Sequence, residues 1–493
     1  MSANASSQTA TGRLSGTIAV GALFSVTFTA LAHGAVEPWS VVLFEFIVLA
    51  LILLWGIKIV IDRRFNLVMP TTAFPLAALV VLGIAQSVVF TDESGIRRSL
   101  SMNVEATRAT VIMLIFLLIS FLILTNFFVG RRRLSALAGF LVVYGLAMAV
   151  FALVQHFTWN GKFYWIRPNT SSVSPFGPFV NHNHFAGYME LLISIPITLA
   201  ITRAVRKETR LLYGFITMVM GVAVIASLSR GGMISCAFQM IFLMAMSLWM
   251  PKARRNSARP SSSLDVEPKR AGLLAAFRVK PSLQQALAVV VVVVGMVWGI
   301  VWIGGSDSVI NRVTQGQAAG VGGQAETFFE SRGWVWRDTL TMIRANPVTG
   351  VGLGAYDTAF SIYSKSEGAI RVPQAHNDYL QIVADGGIVG GAIALWFLIL
   401  IFRHIMRGIK SSDPLYSGLA LGCGTGIFGL LVHSFFDFNL QLPSNALLFL
   451  LLTAAVSHIS STVSNNESKE LIRPQEKKIT SVSTAVKAAA ARW

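Results

Sequence analysis

Long runs of apolar residues, separated by polar stretches, repeat along the chain. A run of about 17 to 25 apolar residues is long enough to cross the hydrocarbon core of a bilayer as an α-helix. Twelve such runs occur, at 14–33, 38–61, 68–90, 109–129, 134–157, 185–203, 211–229, 231–250, 285–303, 382–402, 416–436 and 443–460. The pattern predicts an all-α polytopic membrane protein with about 12 transmembrane helices.

The composition supports this prediction and excludes an ordinary soluble domain. Of the 493 residues, 54% are hydrophobic and 13% charged, and the mean hydropathy is +0.63. Soluble domains contain about 25% charged residues. The two cysteines, Cys236 and Cys423, lie inside apolar runs and match no metal-ligand spacing. We therefore expect neither a disulfide framework nor a zinc site.

The net charge of +17 is explained by topology. Most lysines and arginines lie in the two tails and in alternate loops, as the positive-inside rule requires of cytoplasmic segments. This distribution places both termini in the cytoplasm, as tails 1–13 and 461–493, and predicts no nucleic-acid partner. The basic loop 251–281 is also expected to be cytoplasmic, within the first nine spans at 14–303.

The loops on the opposite side include two long segments, 158–184 and 304–381, and long loops are often functional. The second begins with a Gly/Gln-rich stretch at 316–324, followed by helical spacing over 331–345. Asn346 and Pro347 are expected to end that helix, and a close-packed turn is expected at 351–355. We expect a helical pair on the outer membrane surface. Spans ten to twelve follow at 382–460.

A dense polar cluster occupies 371–387, at the start of the tenth span. An apolar protein places many polar side chains together where something polar is handled. His376 is the candidate for proton transfer, although a lone histidine is often only a hydrogen-bonded structural residue. A carboxylate beside an imidazole fixes its tautomer and increases its basicity. The candidates for this carboxylate are Asp378, Asp385 and Asp437, and the sequence does not separate them.

Arg230 is a lone cation in the glycine-containing turn 227–232 between two spans. It could extend its side chain to the lipid headgroups. Alternatively, a guanidinium held between helices would match a diphosphate with its rigid set of donors. The glycines at 231 and 232 would allow a headgroup to approach closely.

A third polar cluster, at 181–184, contains His182 and His184, with Glu190 inside the span that follows. Two histidines and a carboxylate are residue types that suit a metal. Hydrogen bonding at the start of the helix is the favoured interpretation. Asn183 is also a candidate helix N-cap.

Several of these stretches together resemble a known family. They are NHNHFAGYMELL at 181–192, SLSRGG at 227–232, the run from SRGWVWRDTL to GVGLGAY at 331–356, AHNDYLQIVADGGIVGG at 375–391 and HSFFDFNLQLP at 433–443. In order and topology they look like the O-antigen ligases and the O-antigen or exopolysaccharide polymerases. The similarity covers roughly residues 110 to 460 and is more specific as a set than any single motif.

The resemblance implies a C-type glycosyltransferase that faces the periplasm of the bacterial inner membrane and needs no metal or other cofactor. Its donor would be an undecaprenyl-diphosphate-linked glycan, and its acceptor a lipid A core or a growing glycan. Arg230 would bind the diphosphate together with Arg332 or Arg337, and His376 would act as general base or orient the acceptor hydroxyl, with inversion at the anomeric carbon. The remaining expected substrate contacts are Asn181, His182, His184, Asn377, Tyr379, Gln381, Asp385 and Asp437.

A different function class, a flippase or other transporter of lipid-linked oligosaccharides, is also compatible with twelve spans. Glu45 and Glu190 lie within spans and would suit a transporter. Transporter sites, however, lie near the bilayer midplane between related halves. Here the polar residues concentrate at one face, which favours the transferase. Ligase and polymerase share the donor chemistry, so the sequence does not distinguish them.

Overall fold

A computed structural model describes residues 2–91, 93–169, 174–249, 328–364 and 371–490 of the chain. Its helices are α1 (Ser2–Leu31), α2 (Pro38–Asp62), α3 (Ala73–Gln86), α4 (Val104–Phe127), α5 (Arg131–Phe157), α6 (His182–Ile201), α7 (Arg210–Ala226), α8 (Arg230–Trp249), α9 (Phe328–Ala345), α10 (Tyr356–Tyr363), α11 (Asp378–Ile409), α12 (Pro414–His433) and α13 (Pro443–Ala490). Two short antiparallel hairpins pair β1 (Val89–Thr91) with β2 (Arg97–Ser99) and β3 (Lys162–Phe163) with β4 (Arg167–Pro168).

Ten helices within the described ranges are long and apolar enough to cross a membrane. They correspond to ten of the twelve predicted runs, which confirms the all-α polytopic membrane fold. The ninth predicted run, 285–303, lies outside the described residues, as do the basic loop 251–281 and the Gly/Gln-rich stretch 316–324.

The third predicted run, 68–90, is corrected by the structure, because its helix is only the 14-residue α3. Polar contacts fix both ends of α3: Thr72 hydrogen-bonds Ser457 of α13, and Gln86 donates to the backbone oxygens of Thr349 and Asp385. Residues 64–70 have no regular secondary structure, and Val89 begins a strand. A run of apolar residues does not reveal such ends.

Helices α6 and α12 form the centre of the bundle, and both are almost entirely buried. Three glycines of α12, at 418, 422 and 426, lie directly against α6. A Cβ at Gly422 would lie 2.9 Å from the Ile195 Cα, and one at Gly426 would lie 2.6 Å from the Leu191 carbonyl oxygen. Small residues spaced by four allow two membrane helices to approach closely. This contact makes the centre of the bundle a rigid support.

One end of the bundle, which we call the site face, is where α6, α8, α11 and α13 begin and α12 ends. Gly34, just after α1, also lies there, since its carbonyl oxygen accepts from the Ser444 backbone N–H. The opposite end, which we call the basic face, includes the ion pair between Arg131 and Asp413 at 2.6 Å. There the Gly130 backbone N–H donates to His458.

Helices α9 and α10 cover part of the site face, which agrees with the predicted helical pair. Helix α9 ends at Ala345, directly before Asn346 and Pro347, as predicted. The turn at 351–355 pairs with α11: the backbone N–H groups of Val351 and Gly352 donate to the carbonyl oxygens of Ala384 and Asp385, both at 3.0 Å. Helix α11 accommodates this turn by a kink at Gly387, whose φ of 62° favours glycine.

Candidate active site

His376 lies immediately before α11 with a φ of 48°, in the left-handed region that non-glycine residues rarely adopt. The neighbouring Ala375 is fixed from two sides. Its N–H donates to the Gln381 side chain at 2.7 Å, and its carbonyl oxygen accepts from the Trp336 indole at 3.0 Å. Strained backbone persists where its surroundings determine it, and such positions cluster at functional sites. The position of His376 is therefore imposed by its neighbours.

Asn377 and Tyr379 join the start of α11 to the end of α12. The Asn377 side-chain oxygen caps α11 by accepting from the N–H groups of Tyr379 and Leu380, both at 3.0 Å. Its amide nitrogen donates to the Phe435 carbonyl oxygen at 3.2 Å, and the Tyr379 hydroxyl donates to the Leu431 carbonyl oxygen at 2.7 Å. These bonds hold His376 over the segment that follows α12.

Asp437 is the carboxylate that reaches His376, with 3.2 Å between the imidazole Nδ1 and the carboxylate Oδ1. Its side chain is 1% exposed, whereas that of His376 is 34% exposed. Burial alone would raise the pKa of Asp437. The hydrogen bond from His376 and the charges of His184, His376 and Arg332 outweigh burial and hold this pKa below its ordinary value. The carboxylate is thus kept ionised beside an accessible imidazole.

The other two candidate carboxylates have different partners. Asp378 accepts from the Ser434 hydroxyl at 2.8 Å and from the Leu440 N–H at 3.3 Å. Asp385 accepts from the Gly354 N–H at 3.2 Å and from the Gln381 amide at 3.3 Å. Asp378 thus links α11 to the segment after α12, and Asp385 links it to the turn before α10.

Arg332, on α9, lies beside the same segment and donates to the Phe436 carbonyl oxygen. Burial lowers the pKa of Arg332; the charge of Asp437 opposes this change, and the charge of Arg230 adds to it. Two guanidinium groups and one carboxylate therefore interact within one small region. Arg337, the other predicted arginine, is 66% exposed and pairs with the adjacent Asp338 at 3.4 Å.

Arg230 is the first residue of α8, directly after a tight turn in which Leu228 has a φ of 58°. Ser229 caps the helix, since its hydroxyl oxygen accepts from the Gly232 N–H at 3.1 Å. Gly231 packs against α12: a Cβ there would lie 2.8 Å from two ring atoms of His433 and 3.3 Å from the Phe436 Cβ. A glycine is needed at 231 to bring Arg230 this close to the end of α12.

Below the site, His433 and Glu190 form a buried pair with 3.0 Å between Nδ1 and Oε1. The Ser235 hydroxyl donates to the same glutamate oxygen at 2.5 Å, and the Gln239 amide donates to the Glu190 backbone oxygen at 2.7 Å. The network joins α6, α8 and α12 under Arg230. The role of His433 was not predicted from the sequence, although His433 is the first residue of the HSFFDFN motif at 433–439.

The residues at 181–184 form the first turn of α6, so the helix begins earlier than the predicted start at 185. Asn181 is the N-cap, accepting from the Asn183 N–H at 2.9 Å, which corrects the suggestion that Asn183 caps the helix. The His182 imidazole lies 3.0 Å from the Ser174 carbonyl oxygen, whereas His184 is buried with its ring 4.9 Å from that of Phe438. The two histidines thus face different surroundings.

The structure therefore brings Arg230, Arg332, His376 and Asp437 to one part of the site face, with His184 behind them. Such a cluster can stabilise a negatively charged group with two guanidinium ions and remove a proton with an imidazole. His376 also has its ring 5.1 Å from that of Phe438. Gln381, Asp385, Asn377 and Tyr379 contact the surrounding fold, and Arg337 lies on the exposed surface of α9.

The fold and these polar residues define a multi-pass helical membrane protein with a polar site at one membrane face. Residues 215–395 match the family described as O-antigen ligase. The matched region contains Arg230, Arg332 and His376 and three of the five motif stretches, at 227–232, 331–356 and 375–391, which confirms the family resemblance over this part of the chain. It supports glycan transfer in O-antigen biosynthesis by a bacterial membrane protein. The comparison with curated proteins found no match.

Proposed function

We propose that this protein transfers a glycan from undecaprenyl diphosphate to an acceptor hydroxyl at the periplasmic face of the inner membrane. The observation that carries the proposal is the pairing of His376 with the buried Asp437 beside Arg332. The acceptor is the lipid A core for a ligase or the growing glycan for a polymerase. Reaction at a membrane face suits a donor whose lipid stays in the bilayer.

On the acceptor side, His376 removes the proton of the attacking hydroxyl. Asp437 accepts from Nδ1, which leaves Nε2 as the basic nitrogen. The partial exposure of His376 allows a sugar hydroxyl to approach, while the buried carboxylate stabilises the imidazolium that forms. This division of roles is that of a general base and its orienting carboxylate.

On the donor side, Arg230 and Arg332 bind the diphosphate. Arg230 stands at the N-terminus of α8, where backbone N–H groups and the helix dipole also favour an anion. Two nearby guanidinium groups repel each other, and a diphosphate bound between them offsets that repulsion. Charge that develops on the leaving group is stabilised in the same way.

The reaction needs no metal in this scheme. The acceptor oxygen forms a bond to the anomeric carbon as the bond from that carbon to the diphosphate oxygen breaks. The hydroxyl proton passes to His376, and the electron pair leaves with undecaprenyl diphosphate. Attack opposite the leaving group inverts the anomeric centre.

Deleting the gene in its host and analysing the surface glycans tests the proposal. A ligase predicts lipopolysaccharide that lacks the O-antigen, whereas an O-antigen polymerase predicts lipopolysaccharide with a single repeat unit. Loss of secreted polysaccharide alone indicates an exopolysaccharide polymerase. Complementation with the wild-type gene should restore the glycan. Unchanged glycans in the deletion strain would contradict the proposal.

We further propose that the site face is periplasmic and both termini cytoplasmic, because basic residues such as Arg131 and Arg132 lie on the basic face. Cysteine labelling tests this orientation, since both native cysteines are buried. Ile166→Cys, at a residue 78% exposed on the site face, should react with an impermeant reagent once the outer membrane is opened. Arg132→Cys should react only after the inner membrane is opened. The reverse pattern would overturn the orientation.

A further inference from the structure

An open groove of about 710 Å³ lies on the basic face, at the end of α11 far from His376. Its wall is the C-terminal half of α11, with Glu467 of α13 on the other side. Three cations line it: Arg403, Arg407 and Lys410. This feature lies at the opposite membrane face from the transfer site.

The three cations are spaced by four and three residues, so they form one stripe along the helix. Arg403 and Arg407 are exposed. Among the described side chains the lining adds one carboxylate, that of Glu467, so these side chains together carry an excess of positive charge. A ligand that suits it has a compact anionic group at the membrane edge.

An apolar wall from Leu395 to Met406 runs beside the stripe and extends past Arg403 toward the middle of the bundle. These twelve residues of helix measure about 16 Å from first to last. This length is about half the hydrocarbon thickness of a bilayer of about 30 Å. The groove therefore matches one leaflet, with cations at its polar end.

His404 anchors this part of α11 to its neighbours. The two ring nitrogens of His404 each lie 2.9 Å from a hydroxyl, one of Thr71 before α3 and one of Ser460 on α13. These contacts hold the C-terminal half of α11 in place. The groove is thus formed by the fold itself.

We propose that this groove is a binding site for an anionic glycerophospholipid, with the phosphate on Arg403 and Arg407 and an acyl chain along the wall from Leu395 to Met406. The guanidinium groups supply planar, charged donors that match phosphate oxygens. Basic pockets at the ends of membrane helices bind such headgroups. The site is independent of the transfer reaction, and a zwitterionic phospholipid fits it less well because the groove has excess positive charge.

Native mass spectrometry of the purified protein tests this site, using phosphatidylglycerol or phosphatidylcholine added to the delipidated protein in detergent. The wild-type protein should retain phosphatidylglycerol preferentially and gain thermal stability from it. The double variant Arg403→Gln, Arg407→Gln should lose most of the preferential retention of phosphatidylglycerol and most of the gain in thermal stability. The matched control, Arg132→Gln with Arg206→Gln, removes two exposed basic residues of the same face outside the groove and should behave like the wild type.

A second variant, Ile399→Trp, fills the apolar wall while keeping all three cations and should also lose the bound lipid. Equal retention of the two lipids by the wild type would overturn the site. Equal losses of bound phosphatidylglycerol in the groove variant and the control variant would also overturn the site. They would show that the lipid is attracted to surface charge in general. Inorganic phosphate that stabilised the protein as well as phosphatidylglycerol would contradict a lipid ligand.

Discussion

The His376 Nδ1 lies 3.2 Å from the Asp437 Oδ1, although 61 positions separate the two residues along the chain. The contact exists because α11 begins where α12 ends, with Asn377 bonded to Phe435 in the segment after α12 and Tyr379 bonded to Leu431 of α12. The pair combines a buried carboxylate with a partly exposed imidazole, as expected of a base held by an orienting acid.

Asp437→Asn should lower glycan transfer while leaving donor binding nearly unchanged, because the amide no longer holds the required tautomer of His376. The transfer rate should fall by a factor approaching the contribution of a general base, which is about 10²- to 10⁴-fold. Transfer rates at saturating donor measure it. Asp385→Asn is the matched control, since this buried carboxylate contacts the turn before α10 and should leave the rate much less affected.

The pH dependence of stability gives a second prediction for Asp437. Its pKa in the folded protein is below the ordinary value of 3.8, so its ionised form contributes stability above the unfolded-state pKa of about 3.9. That contribution is lost as the pH falls through the folded-state pKa. The difference in melting temperature between wild type and Asp437→Asn should thus persist as the pH falls from about 8 to about 5. A difference that shrinks already near pH 6 would contradict this.

Arg332→Ala should weaken donor binding by about ten- to a hundredfold, the typical loss for a hydrogen-bonded charged group. Arg332→Lys should recover little, since the ammonium lacks the planar set of donors. Arg337→Ala serves as the control, because Arg337 is exposed and pairs with Asp338. Binding of a labelled undecaprenyl-diphosphate glycan measures all three. A larger loss of donor affinity in Arg337→Ala than in Arg332→Ala would contradict the proposal and indicate that Arg337 binds the donor.

Gly231→Ala should lower donor affinity, because the added Cβ would lie 2.8 Å from the His433 ring and displace the start of α8 that carries Arg230. Gly214→Ala adds the same methyl group in α7, where no atom lies within 4 Å. Donor binding and melting temperature should be compared for both variants. Wild-type affinity in Gly231→Ala would show that the position of Arg230 does not depend on this packing.

Transfer by the purified protein should continue in a chelator, because Arg230 and Arg332 are proposed to neutralise the leaving diphosphate. The assay compares the initial rate with and without the chelator, and a metal-dependent glycosyltransferase treated in parallel shows that chelation is complete. Activity abolished by the chelator and restored by magnesium or zinc would reject the metal-free scheme.

Much of the fold follows from the sequence, because apolar length is sufficient to locate a membrane helix. Ten predicted spans correspond to ten candidate spans among the described residues, and the end of α9 follows from Asn346 and Pro347. The short α3 was not predicted, since its ends depend on Gln86 and Thr72 bonding residues far along the chain. The glycines at 418, 422 and 426, spaced by four, were a readable signal for the contact between α6 and α12.

The candidate site was only partly predictable. Its individual residue types pointed to His376 and Arg230, and the resemblance added Arg332. The choice of Asp437 over Asp378 and Asp385 depends on how the segment after α12 folds back over α11, which spacing does not specify. The N-cap of α6 shows the same limit, because Asn181 and Asn183 are equally suitable residue types and only the local backbone selects Asn181.

The most direct test of the central claim is the transfer rate of His376→Ala and His376→Gln with a fixed lipid-linked donor, together with donor affinity measured separately. If His376 removes the acceptor proton, both variants should bind the donor as the wild type does and lose about 10²- to 10⁴-fold in turnover. An active Gln variant would show that His376 only orients the acceptor, since a neutral hydrogen bond would then suffice. Wild-type turnover in the Ala variant would contradict the account altogether.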